Sequence, residues 1–170
     1  MNSILIRNLV VITSFTFIGA IGFAFVGAQA QQTPSQTSAL SYFNTAHELA
    51  AQGEIAYPVA FIDFSLWNDA VNNANAAVTL EPENMVYMRY LGELYTTTQW
   101  WSEGYKVWKT LEGKQALDAQ AATWAAKTAA KMGYLRLQRG LKQEAIPFLV
   151  DSLRWKEDAQ VRALLVRARS

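Results

Sequence analysis

The chain of 170 residues contains no cysteine. That removes disulfides, thiolate metal sites, cysteine nucleophiles and the cysteine to which bacterial export attaches a lipid. Histidine is almost as scarce, with His47 alone. One histidine without cysteine is a poor basis for a transition-metal site, and no Ser, Asp or Glu is spaced around it as a nucleophilic triad would require. A glycine-rich phosphate loop is missing too. Glu81 and Glu83 flank Pro82 as a solvated corner does, not as a pair of catalytic acids. These absences point away from an enzyme, and they leave no cofactor and no metal to expect. Asn-x-Ser/Thr acceptors are also lacking.

Charge is nearly missing from the front. Within residues 1–30 the one charged side chain is Arg7, followed by an apolar run from Leu9 to Val26 and then Ala28-Gln29-Ala30. This three-part layout predicts a secretory signal peptide over 1–30, cut before Gln31. An uncleaved leader would instead leave a membrane tether, because the run approaches bilayer-spanning length. Gln31 to Ser38 is polar and low in bulk and reads as a disordered lead-in. The remainder, 39–170, is long enough for one domain with a sizeable core. The expected destination is a bacterial periplasm or the cell exterior.

What is present is a repeat. Trp67-Asn-Asp-Ala70, Trp101-Ser-Glu-Gly104 and Lys142-Gln-Glu-Ala145 line up. Behind them run Ala70-x3-Ala74-x2-Ala77-x2-Leu80-x-Pro82, Gly104-x3-Trp108-x2-Leu111 and Ala145-x3-Leu149-x2-Ser152-x2-Trp155. Small residues stand where two helices must approach closely, and a bulky one follows a turn later. A period near 34 residues is the mark of stacked helical hairpins. Ala70 to Gly104 keeps it, and Gly104 to Ala145 exceeds it by about two helical turns. Leu91-Gly92-x2-Tyr95 precedes the second copy and Gly133 the third.

These residues resemble the tetratricopeptide repeat family across residues 38 to 170. Leu91, Gly92, Tyr95, Trp101 and Trp108 match both helices of one repeat, and Gly133, Gly140, Glu144, Ala145 and Leu149 match another. Met88 and Ala129 stand where the family has its leading Trp, Arg136 departs at the eleventh position of the third repeat, and Gly104 replaces the usual Ala. The resemblance implies an all-α solenoid of about three hairpins, closed by a C-terminal capping helix.

Helical periodicity places helices over Leu40–Gln52, stopped by Gly53, then Leu66–Leu80, Glu83–Tyr95, and Ser102–Leu111, stopped by Gly113. Three more follow at Ala119–Gln138 behind an Asp118 cap, Lys142–Trp155 and Ala159–Ala168. The apolar segment Glu54–Ser65 exceeds the repeat pattern; it either folds over the groove or extends the first pair. Trp67, Trp101, Trp108 and Trp155 are expected between helices; Trp100 should point outward, and it and Trp124 are the candidates for exposed aromatics unless neighbouring helices or Glu54–Ser65 cover them.

In the family the first helix of each pair lines a concave groove. That places Phe43 and His47, then Arg89, Glu93 and Thr96, then Ala130, Tyr134 and Leu137 on the partner-binding face, with Trp100 as an exposed aromatic beside it. Arg89 followed by Glu93 argues against clamping a terminal carboxylate. The implied function is a non-enzymatic exported scaffold for a protein or peptide segment.

Two alternatives come from the residues themselves. After residue 30 the chain is neutral, with eight acids and one base in Gln31–Tyr105 and thirteen bases and six acids in Lys106–Ser170. Such a split suits self-association through opposite ends in an envelope assembly. A glycan-binding module using Trp100, Trp124 and Tyr134 is the other. A nucleic-acid partner is not expected, since the bases are spread over several helices without a known signature.

Overall fold

The computed structural model describes residues 33–170. The leader expected over 1–30 lies outside the described residues. Seven helices follow one another: α1 (Pro34–Ala56), α2 (Ser65–Leu80), α3 (Met85–Thr97), α4 (Trp101–Gly113), α5 (Ala119–Gln138), α6 (Lys142–Trp155) and α7 (Ala159–Arg169). No strand occurs among the described residues. α1 packs on α2, α3 on α4 and α5 on α6, while α7 covers α6. Successive pairs touch through α2 with α3, α4 with α5, and α3 with α5. The architecture is the expected all-α stack of three hairpins with a closing helix.

Side-chain caps start the first helix of every pair. Asn84 accepts from the amides of Val86 and Tyr87 at 3.1 and 3.4 Å, and Asp118 from that of Ala121 at 2.9 Å. Such caps satisfy amides that the helix leaves without partners. The second helices start without one, and tight reversals end α3, α4 and α5. Trp100 donates its amide to the Tyr95 carbonyl, Ala116 to Leu111 and Leu141 to Arg136, at 2.8, 2.9 and 2.9 Å. Each bond spans a residue of positive φ: Gln99, Gln115 and Gly140. This is the left-handed helix ending usually given to glycine, and here glutamine takes it twice. Gly113 is therefore not the stop of α4; it is the last helical residue, and Gln115 makes the reversal.

Two further boundaries differ from expectation. α1 begins inside the stretch read as a disordered lead-in, because Thr33 accepts from the Gln36 amide while the Gln36 side chain accepts from the Thr33 amide. With Pro34 at the first helical position, this is a complete capping box. α1 also runs through Gly53 to Ala56. A β-carbon on Gly53 would lie 2.9 Å from Cε2 of Trp67, so the glycine admits the indole and does not end the helix. The same fit recurs one pair later, where a β-carbon on Gly92 would lie 2.8 Å from Cζ2 of Trp108.

The excess segment after α1 extends the first pair. Tyr57 and Phe64 stack at 4.5 Å, and Tyr57, Ala60, Ile62 and Phe64 pack on the core shared by α1, α2 and α3. The Ile62 amide donates to the Thr98 carbonyl at 3.2 Å, tying this loop to the α3–α4 turn. Trp67 and Trp108 are buried as expected. Trp101 and Trp155 are only half-buried. Trp124 is half-buried against the α3–α5 core, so neighbouring helices cover it in part, and Trp100 is 41% exposed.

Candidate functional site

The residues expected on the partner-binding face do not stay together. Phe43 and His47 on α1 meet Tyr87 and Tyr90 on α3 in one aromatic cluster. The His47 ring stacks on Tyr90 with centroids 3.7 Å apart, and Phe43 stands edge-on to both at 4.6 and 5.4 Å. Burial lowers the His47 pKa, opposed in part by the Glu93 charge. Burial likewise pushes the Tyr90 phenol up to about 12, with Glu93 and Glu54 adding to it. The chemistry here is aromatic packing between first helices, with the His47 imidazole as one of its rings.

Arg89 is already occupied. Its Nε donates to Glu93 at 3.3 Å, and its outer nitrogens reach the Asp118 carboxylate and, at 3.0 Å, Gln120. The guanidinium thus ties α3 to the first turn of α5. Asp118 is held below the usual carboxylate range by the Ala121 amide first, and by Arg89 as well. Neither Arg89 nor Glu93 is left as a free charge for a partner.

Thr96, expected in the groove, lies in the core at 1% exposure. Its hydroxyl is 2.7 Å from that of Thr128, donates to the Gly92 carbonyl at 2.8 Å and accepts from Trp108 Nε1 at 3.0 Å. A buried hydroxyl needs such partners, and here they join α3, α4 and α5. Leu137 is also a correction, being buried in the core that α5 shares with α6 and α7. Trp100 stands at the start of α4 with its ring edge-on to Tyr95 at 5.4 Å.

Tyr134 and Ala130 line an open cleft of about 490 Å³ between α5 and α7. Its apolar lining comes from Ala126, Ala130, Val161 and Leu164, with Trp101 and Tyr134 as aromatic walls. Lys127, Lys131 and Lys156 stand around it. The Lys131 ammonium lies 5.9 Å from the Trp101 ring centre and 5.5 Å from that of Tyr134. Lys127 lies 5.1 Å over Trp124, and Lys156 donates to Thr123 at 3.3 Å. Among the described residues none of the three pairs with a carboxylate, whereas Lys106, Lys109 and Lys114 all do. Asp158 is the one acid in the lining, and its carboxylate accepts the Gln160 and Val161 amides as the cap of α7.

These lysines are not singled out by the sequence alone, where α7 reads only as a cover. Lys127, Lys131 and Tyr134 recur at helical spacing, which places them on one face of α5. That signal was present, but the opposite wall of the cleft depends on where α7 packs. Among the described residues no group of three or more His, Asp or Glu is placed to hold a metal ion, and no helix is long and apolar enough to cross a membrane.

No family model and no curated protein matches the sequence. Among solved structures, the chain is similar to the N-terminal domain of stress-induced protein-1 (STI-1) from C. elegans, with a TM-score of 0.51 and 12% identity. The likeness covers 82% of this chain and 100% of that one. At such identity it is a likeness of fold, and with the serial hairpins above it gives this chain a tetratricopeptide-like helical-repeat fold.

Proposed function

We propose that this protein is an exported, non-enzymatic scaffold that holds a segment of a protein partner in the cleft between α5 and α7. The open cleft with its apolar lining and aromatic walls carries the reading, since such concavities are where folds accept ligands. The helical-repeat fold supports it, because stacked hairpins commonly serve as extended binding surfaces. The face made by Phe43, His47, Arg89 and Glu93 contributes rigidity between hairpins, and Tyr134 contributes contact. Export rests on the leader-like sequence of residues 1–30.

A photo-crosslinking amino acid placed at Tyr134 tests this reading, with the same group at the exposed Val150 of α6 as the control. Position 134 should give discrete adducts and position 150 none. The adducts should be recovered from the periplasmic fraction, on a chain lacking residues 1–30. Equal labelling from both positions would sink the cleft as the binding site, and a full-length cytoplasmic chain would sink export.

Self-association is the second reading, favoured by the opposite charges of the two halves. It predicts a complex that dissociates as salt is raised. Trp100, Trp124 and Tyr134 do not form one glycan platform, because Trp124 packs against the core and Trp100 does not line the cleft that Tyr134 lines.

A further inference from the structure

The cleft between α5 and α7 has a chemical character beyond being open. Three ammonium groups surround an apolar lining, and none has a carboxylate partner among the described residues. Lys131 is held over two aromatic rings, which attract a cation without neutralising it and leave its N–H donors free. Lys156 retains donors beyond the one given to Thr123. The carboxylate of Asp158 is turned to the amides of α7 and is paired with no lysine.

We propose that this cleft takes an internal acidic segment of a partner protein, with side-chain carboxylates on Lys127, Lys131 and Lys156 and an apolar side chain between them on Ala130 and Leu164. The proposal rests on the reading of the cleft as the binding site and adds the chemistry of its occupant. Complementary charge selects the segment: a basic one meets three like charges, and like-charge juxtaposition is what excludes wrong partners. Neither Arg nor Asn is in the lining. A lysine presents a point charge and lacks the planar fork that grips a carboxylate with two parallel bonds. The site therefore suits several separated side-chain carboxylates better than one chain terminus.

The test selects an unbiased library of short displayed peptides on the protein as isolated from its host. It then measures labelled, end-blocked peptides that alternate Leu with Glu, Gln or Lys. Selected peptides should be rich in Asp or Glu beside apolar residues. The Glu–Leu peptide should bind about tenfold or more tightly than the Gln–Leu peptide, and the Lys–Leu peptide should not bind. Raising salt should weaken binding. Lys127→Gln with Lys131→Gln should weaken it by about tenfold with little change in melting, since Lys127 is exposed, Lys131 is only half-buried and neither is paired with a carboxylate among the described residues.

Selection of neutral or basic peptides that Leu164→Asp displaces would overturn the acidic preference and leave the cleft standing. Acidic peptides indifferent to the lysine substitutions would overturn it as well. Failure of any peptide to be selected, with no self-association that depends on these lysines, would overturn both readings. Loss of salt-sensitive self-association in the lysine variant, with no peptide bound, would make a second copy the occupant and overturn the proposal.

Discussion

Gly92 and Gly113 are both helical glycines with opposite surroundings. A β-carbon on Gly92 would press on the buried Trp108 ring, while one on Gly113 would meet nothing within 4 Å. Gly92→Ala should therefore cost about 1–3 kcal/mol, as overpacking does. Gly113→Ala should stabilise by about 0.5–1 kcal/mol, because alanine has less freedom to lose on folding. Urea denaturation of both variants checks the pair, and equal shifts would refute the packing argument. Gly92 was legible in the sequence because it sits in register ahead of a bulky residue. Thr96 was not. Its helical spacing after Arg89 and Glu93 suits a groove, and only the arrival of Thr128 and Trp108 from other helices makes it a core residue. A one-residue pattern cannot report partners that come from far along the chain.

At the scale of elements, α7 is where covering and function meet. Val161, Leu165 and Ala168 are buried against α5 and α6. Full burial is worth roughly 1.5–3 kcal/mol for each of the two larger side chains. Truncation after Asp158 should bare that surface, giving a chain that aggregates or is recovered at far lower soluble yield than the intact one. A truncated chain that is monomeric and melts like the intact one would show that α7 covers nothing essential. α5 and α6 were readable to the residue, since Asp118 caps one and the apolar spacing of the other persists through Pro147. The start of α1 was misread although its signals stood in the sequence. Thr33-Pro34-Ser35-Gln36 is a capping box written in polar residues, and polarity was taken for looseness. The cleft was the least legible feature, because each wall is ordinary alone and its width is fixed by packing.

For the whole molecule, alkaline pH is the revealing variable. Burial raises the phenols of Tyr87, Tyr95 and Tyr105 above the ordinary value of 10.0 and Tyr90 to about 12; Asp151, accepting a hydrogen bond from Tyr105, raises that one further. The folded chain therefore keeps protons that the unfolded chain has lost. Their contribution is complete below about pH 10 and is lost as pH rises toward 12. The denaturation midpoint should fall steadily across that window, together with tyrosinate absorption appearing later than in the unfolded chain. A midpoint flat through it would mean these phenols are solvated. The split of acids and bases between the halves was plain in the sequence. Which face stays open was not, because Arg89 closes one region through Asp118 and Gln120, about thirty residues away along the chain.

α5 has one more consequence. It is 20 residues long, about 30 Å at the rise of an α-helix. Near its start, Ala121 and Ala125 are gripped by the core containing Trp108, and near its end Leu137 is gripped by the core beneath α7. The cleft opens along the stretch between these two grips. Thr128, Ala129, Met132 and Gly133 are buried between them, so α5 acts as a beam held along its length, and whatever settles in the cleft rests on it. A beam so held bends little under load. Its lysines are presented at fixed spacing before anything arrives, and little conformational freedom is left to lose on capture.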